Sequence, residues 1–422
     1  MITFRNCVIL QITTILIFIL VAAEAKPKCT TNNENDVVCT AGKADYQLVR
    51  GLVSDNNLTT GITLRACRIT DVEYESFNDL NALRSLDLSQ NKIAALKLGV
   101  LDEPKQLTLL NLSYNLITEF PLGLFDQTTN IERLDLKGNM INKLELGIFD
   151  LLPKLSYVDL SSNALLGKDM NPYIFDQSPL IKFIDFSRNN MVDAPDNLLH
   201  AFQALETLKL DRCLLKEVPQ FATKPNLRTM KQLVLSTNQI SKLEDPTLFI
   251  NLEALELLDF TDNIIDHVNE NILSHLKRLQ KIVFKGNKLK DIPNGIFQNM
   301  PKLITILVSG NQISEVPVDA FRGTPVKTLN LAHNKITYLA DNFCLELMNH
   351  GANLKKFFFD PNPWQCACLN DILKEVKTLG ILYNGAKYIG KAPVSNPIFN
   401  HISSCKRYMT LDLLKIGSGK YI

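Results

Sequence analysis

Leu83-Arg-Ser-Leu86-Asp-Leu88-Ser-Gln-Asn91-Lys-Ile93 is the stretch that decides the fold. Leu86 and Leu88 alternate with Asp87, which puts both leucines on one face of a short strand. The chain then bends at Asn91, whose side-chain amide can serve the backbone groups that a bend leaves unpaired. The same spelling returns at Leu107–Ile117, Ile131–Ile141, Leu155–Leu165, Ile181–Met191, Leu205–Leu215, Met230–Ile240, Leu255–Ile265, Leu279–Leu289, Leu303–Ile313 and Val326–Ile336. A degenerate first copy runs through Ile62, Leu64, Cys67 and Ile69, and a last one from Leu354 to Asn362.

The bend position falls at Cys67, Asn91, Asn115, Asn139, Asn163, Asn189, Cys213, Asn238, Asn263, Asn287, Asn311, Asn334 and Asn362. Most intervals are 24 residues and the others lie between 23 and 28. Thirteen copies in register predict strands stacked about 4.8 Å apart, an arc on the order of 60 Å. Ten residues past the bend, Phe77, Leu101, Phe125, Phe149, Leu199, Leu273, Phe297 and Phe321 form a second apolar spine. Thr223 interrupts it, so local irregularity is expected there. Cys67 and Cys213 read as buried structural thiols.

This pattern resembles the leucine-rich repeat, L-x-x-L-x-L-x-x-N/C-x-L, over roughly residues 60 to 362. The resemblance implies an α/β solenoid, with a curved parallel sheet on the concave face and turns and short helices on the convex face. We divide the chain into a signal peptide (1–25), an N-terminal cap (26–60), about thirteen repeats (61–361) and a C-terminal cysteine-containing cap and tail (362–422).

The ends carry the remaining signals. Arg5 precedes a mostly apolar run, Cys7 to Ala22, and Ala23-Glu24-Ala25 fits a small-x-small cleavage site, so the expected mature chain starts at Lys26. Nothing later approaches spanning length, so no membrane span is expected in the mature chain. Cysteines in an oxidising compartment read as disulfides before metal sites. Cys29 and Cys39 bracket a polar loop and can staple a cap.

Asn362-Pro363-Trp364-Gln365-Cys366-Ala367-Cys368 resembles the C-terminal cap of animal extracellular leucine-rich-repeat proteins. Leu369, Ile372, Leu373, Val376 and Leu379 follow at helical spacing and Gly380 ends the run. The family cap has two cysteines downstream of the pair. Here only Cys405 follows, with Cys344 upstream as the substitute. Four cysteines allow three pairings, and spacing does not choose among them. An unpaired one could support a dimer or a covalent partner.

Chemistry is sparse. There is no Gly-rich phosphate loop, no His-Glu-x-x-His and no Cys-x-x-Cys. The six histidines are scattered, with His333 read as a turn residue. Catalysis, metal and cofactor are therefore not expected. A formal charge of +1, from 45 basic and 44 acidic residues, gives no reason to expect nucleic acid.

The expected partner is a protein. Strand residues between the core leucines face the concave side, where Arg133, Asp135, Tyr157, Asp159, Phe183 and Asp185 combine rings with charges, as interface hot spots do. Two readings compete: a ligand-binding patch, or aromatic packing across strands with a customary Leu-Asp-Leu spelling. A more apolar zone carries Val283, Leu307 and Phe358. Sequons at Asn57 and Asn111 are glycosylation candidates, although a glycan on Asn111 would crowd the concave strip.

Signal, repeats and cysteine cap together resemble Toll-type ectodomains, Slit and the leucine-rich immune proteins of insects. That resemblance implies a secreted, extracellular recognition or scaffold factor, with innate immunity the first reading. An extracellular-matrix or cell-surface adhesion and signalling protein of development is the second, and a hydrolase inhibitor the third. The chain lacks heptads after residue 380, which the mosquito immune proteins use to pair.

Overall fold

The computed structural model describes residues 26–32, 35–51, 53–54 and 56–384. The leader expected at 1–25 and Cys405 lie outside the described residues. The chain divides into two compact units, residues 1–209 with 220–222, and residues 210–219 with 223–422.

The first unit opens with an antiparallel hairpin, β1 (Lys28–Thr31) and β2 (Asp36–Thr40), closed by a Cys29–Cys39 disulfide. From β2 onward every neighbour in the sheet is parallel. The order continues through β4 (Gly61–Thr63), β6 (Ser85–Asp87), β7 (Leu109–Asn111), β8 (Arg133–Asp135), β9 (Tyr157–Asp159), β10 (Phe183–Asp185) and β11 (Thr207–Lys209). A side ladder pairs β3 (Tyr46–Leu48) with β5 (Ile69–Val72). Three-residue strands suffice because each contributes one inward side chain to a common core. Leu86, Leu110, Leu134, Val158, Ile184 and Leu208 are all fully buried. Burying each such side chain stabilises by about 1.5–3 kcal/mol.

In the second unit the parallel order is β12 (Gln232–Val234), β14 (Leu257–Asp259), β16 (Lys281–Val283), β17 (Thr305–Leu307), β18 (Thr328–Asn330), β19 (Lys356–Phe358) and β20 (Leu382–Tyr383). A side ladder joins β13 (Lys242–Leu243) to β15 (His267–Val268). Two α-helices alternate with the last strands, α1 (Phe343–Asn349) between β18 and β19 and α2 (Cys366–Thr378) between β19 and β20. The helix expected beyond the cysteine pair is therefore α2. It buries Leu369, Ile372 and Val376, and the chain leaves it at Gly380 with φ +66°. Trp364 is almost buried and meets Phe359 edge-on, ring centroids 6.0 Å apart.

The asparagines do what the bend requires. Asn115 Nδ2 donates to the carbonyls of Leu88 (3.0 Å) and Leu112 (2.9 Å), and its Oδ1 accepts from the Ile93 N–H (3.1 Å). The residue before the bend is left-handed in turn after turn, at φ +55° for Tyr114, +68° for Gly138 and +56° for Ser162. His333 occupies that same place, exposed, at φ +56°. Cys67 replaces the amide with a thiol that donates to the Cys39 carbonyl (3.5 Å), and burial raises its pKa.

Irregularity does fall near Thr223. Two 3-10 turns, Gln220–Ala222 and Pro225–Leu227, interrupt the regular coil, and Phe221 is buried two residues ahead of the spine position. At the C-terminal cap, Cys344 stands on α1 with its sulfur buried. Burial and the Glu375 carboxylate of α2 both push its pKa up. Cys368 is buried on α2, the helix that Cys366 opens.

Candidate functional site

The six residues singled out above are neighbours on one face of three adjoining strands. Cross-strand register aligns Arg133 with Tyr157 and Phe183, and Asp135 with Asp159 and Asp185. Strand alternation turns both columns away from the core while Leu134, Val158 and Ile184 point into it.

The first column is a stack. The Arg133 guanidinium carbon lies 3.4 Å from the Tyr157 ring centroid. Tyr157 and Phe183 rings are parallel within 4°, centroids 4.3 Å apart. Lys209, from β11, brings its ammonium within 5.1 Å of the Phe183 ring and 3.7 Å of an Asp185 oxygen. Two cations thus bracket two stacked rings, each contact worth about 0.5–2 kcal/mol. Arg133 is exposed and both rings are half-buried, so the stack keeps one open edge.

The second column is acidic. Each carboxylate accepts from the backbone N–H two residues on: Asp135 from Lys137 (3.2 Å), Asp159 from Ser161 (2.9 Å) and Asp185 from Ser187 (2.8 Å). Asp87, Asn111, Asp259 and Asn330 do the same in other turns, so this bond shapes the exit from the strand wherever it occurs. What sets β8 to β10 apart is three carboxylates in consecutive register. Burial, and repulsion from Asp159, hold the Asp135 carboxyl above the usual range. Asp185 is raised mainly by burial, with Asp159 adding to it. Burial and Asp159 also push the Tyr157 hydroxyl up to about 12.

Lys209 completes the patch and was not among the expected residues. Its signal was available: it follows Asp135, Asp159 and Asp185 in the same column as the first basic residue. In the apolar zone of the second unit Leu307 and Phe358 are half-buried and Val283 is 4% exposed, much as Asp159 and Asp185 are 6% and 7% exposed at the matching strand position. Of the sequon asparagines, Asn57 is exposed in a turn whose Thr59 hydroxyl is buried against Ser54 (2.7 Å). Asn111 sits in β7, its Oδ1 accepting from the Ser113 N–H (3.0 Å) and hydroxyl (2.7 Å). Among the described residues no cluster of three or more His, Cys, Asp or Glu could hold a metal ion.

The family profile described as "Leucine rich repeat" matches residues 56–117, 105–165, 228–289 and 278–336, together more than half of the chain. The chain belongs to the leucine-rich-repeat family. Such leucine-rich-repeat folds are typically protein-interaction scaffolds. Solved leucine-rich-repeat structures share this fold. One is a protein of Leptospira interrogans, at 19% identity and TM-score 0.60, covering 81% of this chain and 94% of that one. The LRIM1/APL1C complex matches at 18% identity and TM-score 0.52, covering 78% of this chain and 57% of the other. The Toll–Spätzle complex of Drosophila, a hub in development and innate immunity, matches at 22% identity and TM-score 0.58. That match covers 77% of this chain and 43% of the other. No curated protein matches this leucine-rich-repeat chain in sequence. Among the described residues, no helix is long and apolar enough to cross a membrane.

Proposed function

We propose that this leucine-rich-repeat protein is an extracellular recognition factor that binds another protein through the outer face of β8 to β11, in innate defence. The observation that carries the reading is the Arg133–Tyr157–Phe183–Lys209 stack beside three carboxylates. Arginine and tyrosine are the side chains that dominate interface energetics. Stacking already fixes their rotamers, so less conformational freedom is lost when a partner docks.

The leader sequence ahead of Lys26 and the Cys29–Cys39 disulfide support export into an oxidising compartment. The likeness to the Drosophila Toll–Spätzle complex, a hub in development and innate immunity, is compatible with a defence setting. In the test, protein starting at Lys26 is immobilised and exposed to extracellular fluid from naive and microbe-challenged animals. A partner retained by the parent and lost with the Tyr157→Ala/Phe183→Ala variant supports the proposal. Equal retention by both proteins removes this face from recognition, and a partner present only in unchallenged developing tissue removes the immune assignment.

A further inference from the structure

The two sequons sit in unlike surroundings. Asn57-Leu58-Thr59 occupies the turn that leads into β4, and Asn57 and Leu58 are both exposed, Leu58 at 61%. Neighbours hold that turn. Asn56 accepts at its carbonyl from the Thr59 N–H (3.0 Å) and at its Oδ1 from the Leu58 N–H (3.0 Å). Ser54 Oγ accepts from the Asn56 N–H (3.1 Å) and shares a hydrogen bond with the Thr59 hydroxyl (2.7 Å). The Asn57 amide makes no hydrogen bond among the described residues. The turn therefore gives up no bond when that amide is substituted. The next residue, Thr60, donates from its N–H to the Asn35 carbonyl (3.1 Å) and from its hydroxyl to Asp36 Oδ1 (2.9 Å), which ties the turn to the hairpin end of the sheet.

Asn111 is the opposite case. It stands in β7, paired in register with Asp87 on one side and Asp135 on the other. Its side chain is half-buried, and its Oδ1 accepts from both the N–H and the hydroxyl of Ser113, which is itself 5% exposed. Neighbouring strands lie about 4.8 Å apart, so a sugar on Asn111 would press on the Asp87 and Asp135 side chains. It would also stand one strand away from Arg133.

We propose that the exported chain carries an N-linked oligosaccharide on Asn57 and none on Asn111. The proposal rests on the export reading of the leader, since transfer takes place in the secretory compartment. The donor is an oligosaccharyl polyprenyl diphosphate. Asn57 Nδ2 attacks the anomeric carbon of its first N-acetylglucosamine. The bond from that carbon to the phosphate oxygen breaks as the bond to Nδ2 forms. Polyprenyl diphosphate leaves with the electron pair, and the amide proton passes to a base of the transferase. Thr59, which completes the sequon, is 0% exposed in the folded turn, so transfer comes before the turn closes. Closure then leaves Asn57 outside. A chain modified at Asn111 must instead carry its sugar into a strand paired on both sides, which removes such chains from the exported pool. The Asn57 glycan is bulky and hydrophilic and covers Leu58. It stands beside β4, three strand spacings or about 14 Å from β8, and leaves the face of β8 to β11 open.

The test expresses the full chain with its own leader in animal cells. Protein from the medium is deglycosylated enzymatically in heavy-oxygen water, which turns each glycan-bearing asparagine into a labelled aspartate, and the peptides are read by mass spectrometry. The proposal expects most molecules labelled at Asn57 and few at Asn111. It expects Asn57→Gln to reach the medium at the mass of the deglycosylated parent, with the parent's melting temperature, because the side chain it replaces is exposed and unbonded. Asn111→Gln should leave the parent's mass unchanged. Secreted protein with the Cys29–Cys39 disulfide formed but Asn57 unlabelled overturns the proposal and leaves the export reading standing. Label at Asn111 equal to that at Asn57 overturns the selectivity and the reasoning from the paired strand. Retention of the chain in the cytosol overturns both the glycan and the export reading.

Discussion

Replacing Asn139 with alanine tests the physical basis of the coil. Asn139 is 8% exposed, and its Nδ2 donates to the carbonyls of Leu112 and Leu136, both at 3.0 Å. Its Oδ1 accepts from the Ile117 N–H at 3.1 Å. The three losses are unequal. Leu112 O still receives Asn115 Nδ2 (2.9 Å), and Leu136 O still receives Asn163 Nδ2 (3.0 Å), because neighbouring asparagines share each carbonyl. Only the Ile117 N–H is left with no partner. An orphaned buried donor costs about 1–3 kcal/mol, and each redundant bond contributes a net 0.5–1.5 kcal/mol. The expected loss is about 2–6 kcal/mol, of which the orphaned Ile117 N–H is the largest single part. Urea unfolding measures the total, and native-state hydrogen exchange at the Ile117 amide measures the local part. Asn142→Ala, at an exposed position three residues further on, is the control and should change stability by less than about 0.5 kcal/mol. A loss for Asn139→Ala no larger than the control's, with Ile117 exchange unchanged, would refute the ladder argument.

Asp185→Asn should stabilise the protein at neutral pH. Burial raises the folded-state pKa of Asp185, so the folded chain holds that proton more tightly than the unfolded chain. The stability attached to this group is therefore lost as pH rises from the ordinary carboxylate value, about 3.9, through the raised one. Asparagine keeps an oxygen for the Ser187 N–H, so its melting point should exceed the parent's at pH 7 and converge on it near pH 4. A constant difference across that range sinks the linkage. Phe221→Ala should cost about 3–5 kcal/mol, the range for a buried phenylalanine, because Phe221 is 1% exposed beside an interrupted spine. Urea titration showing a loss below about 1 kcal/mol would mean that another side chain fills this stretch.

The repeat was legible because its spelling is redundant. Leu86, Asn91 and Phe77 belong to three columns of one period, so an error at one position is corrected by the others. Trp364 and the α2 stripe were legible for a similar reason, since burial on a helix follows its 3.6-residue period. Single-position contacts were harder to read. The sequence places Tyr157 beside Phe183, but ring angle and the reach of Arg133 and Lys209 depend on rotamers chosen in three dimensions. Val283, Asp159 and Asp185 alternate as outward residues would, yet each is less than 8% exposed. Thr223 signalled a break without revealing that Phe221, two residues away, is the side chain buried there.

The central claim is that the outer face of β8 to β11 recognises a protein. The direct measurement is the affinity of the retained partner, by calorimetry, for the parent and for Arg133→Ala, Tyr157→Ala and Phe183→Ala, with Leu122→Ser as the off-site control. These side chains stand on the outside of the sheet, so the variants should keep the parent's circular dichroism. The account predicts at least about a ten-fold loss for one or more of the three, as expected of hot spots, with the control unchanged. Affinities within two-fold of the parent for all three variants would contradict it.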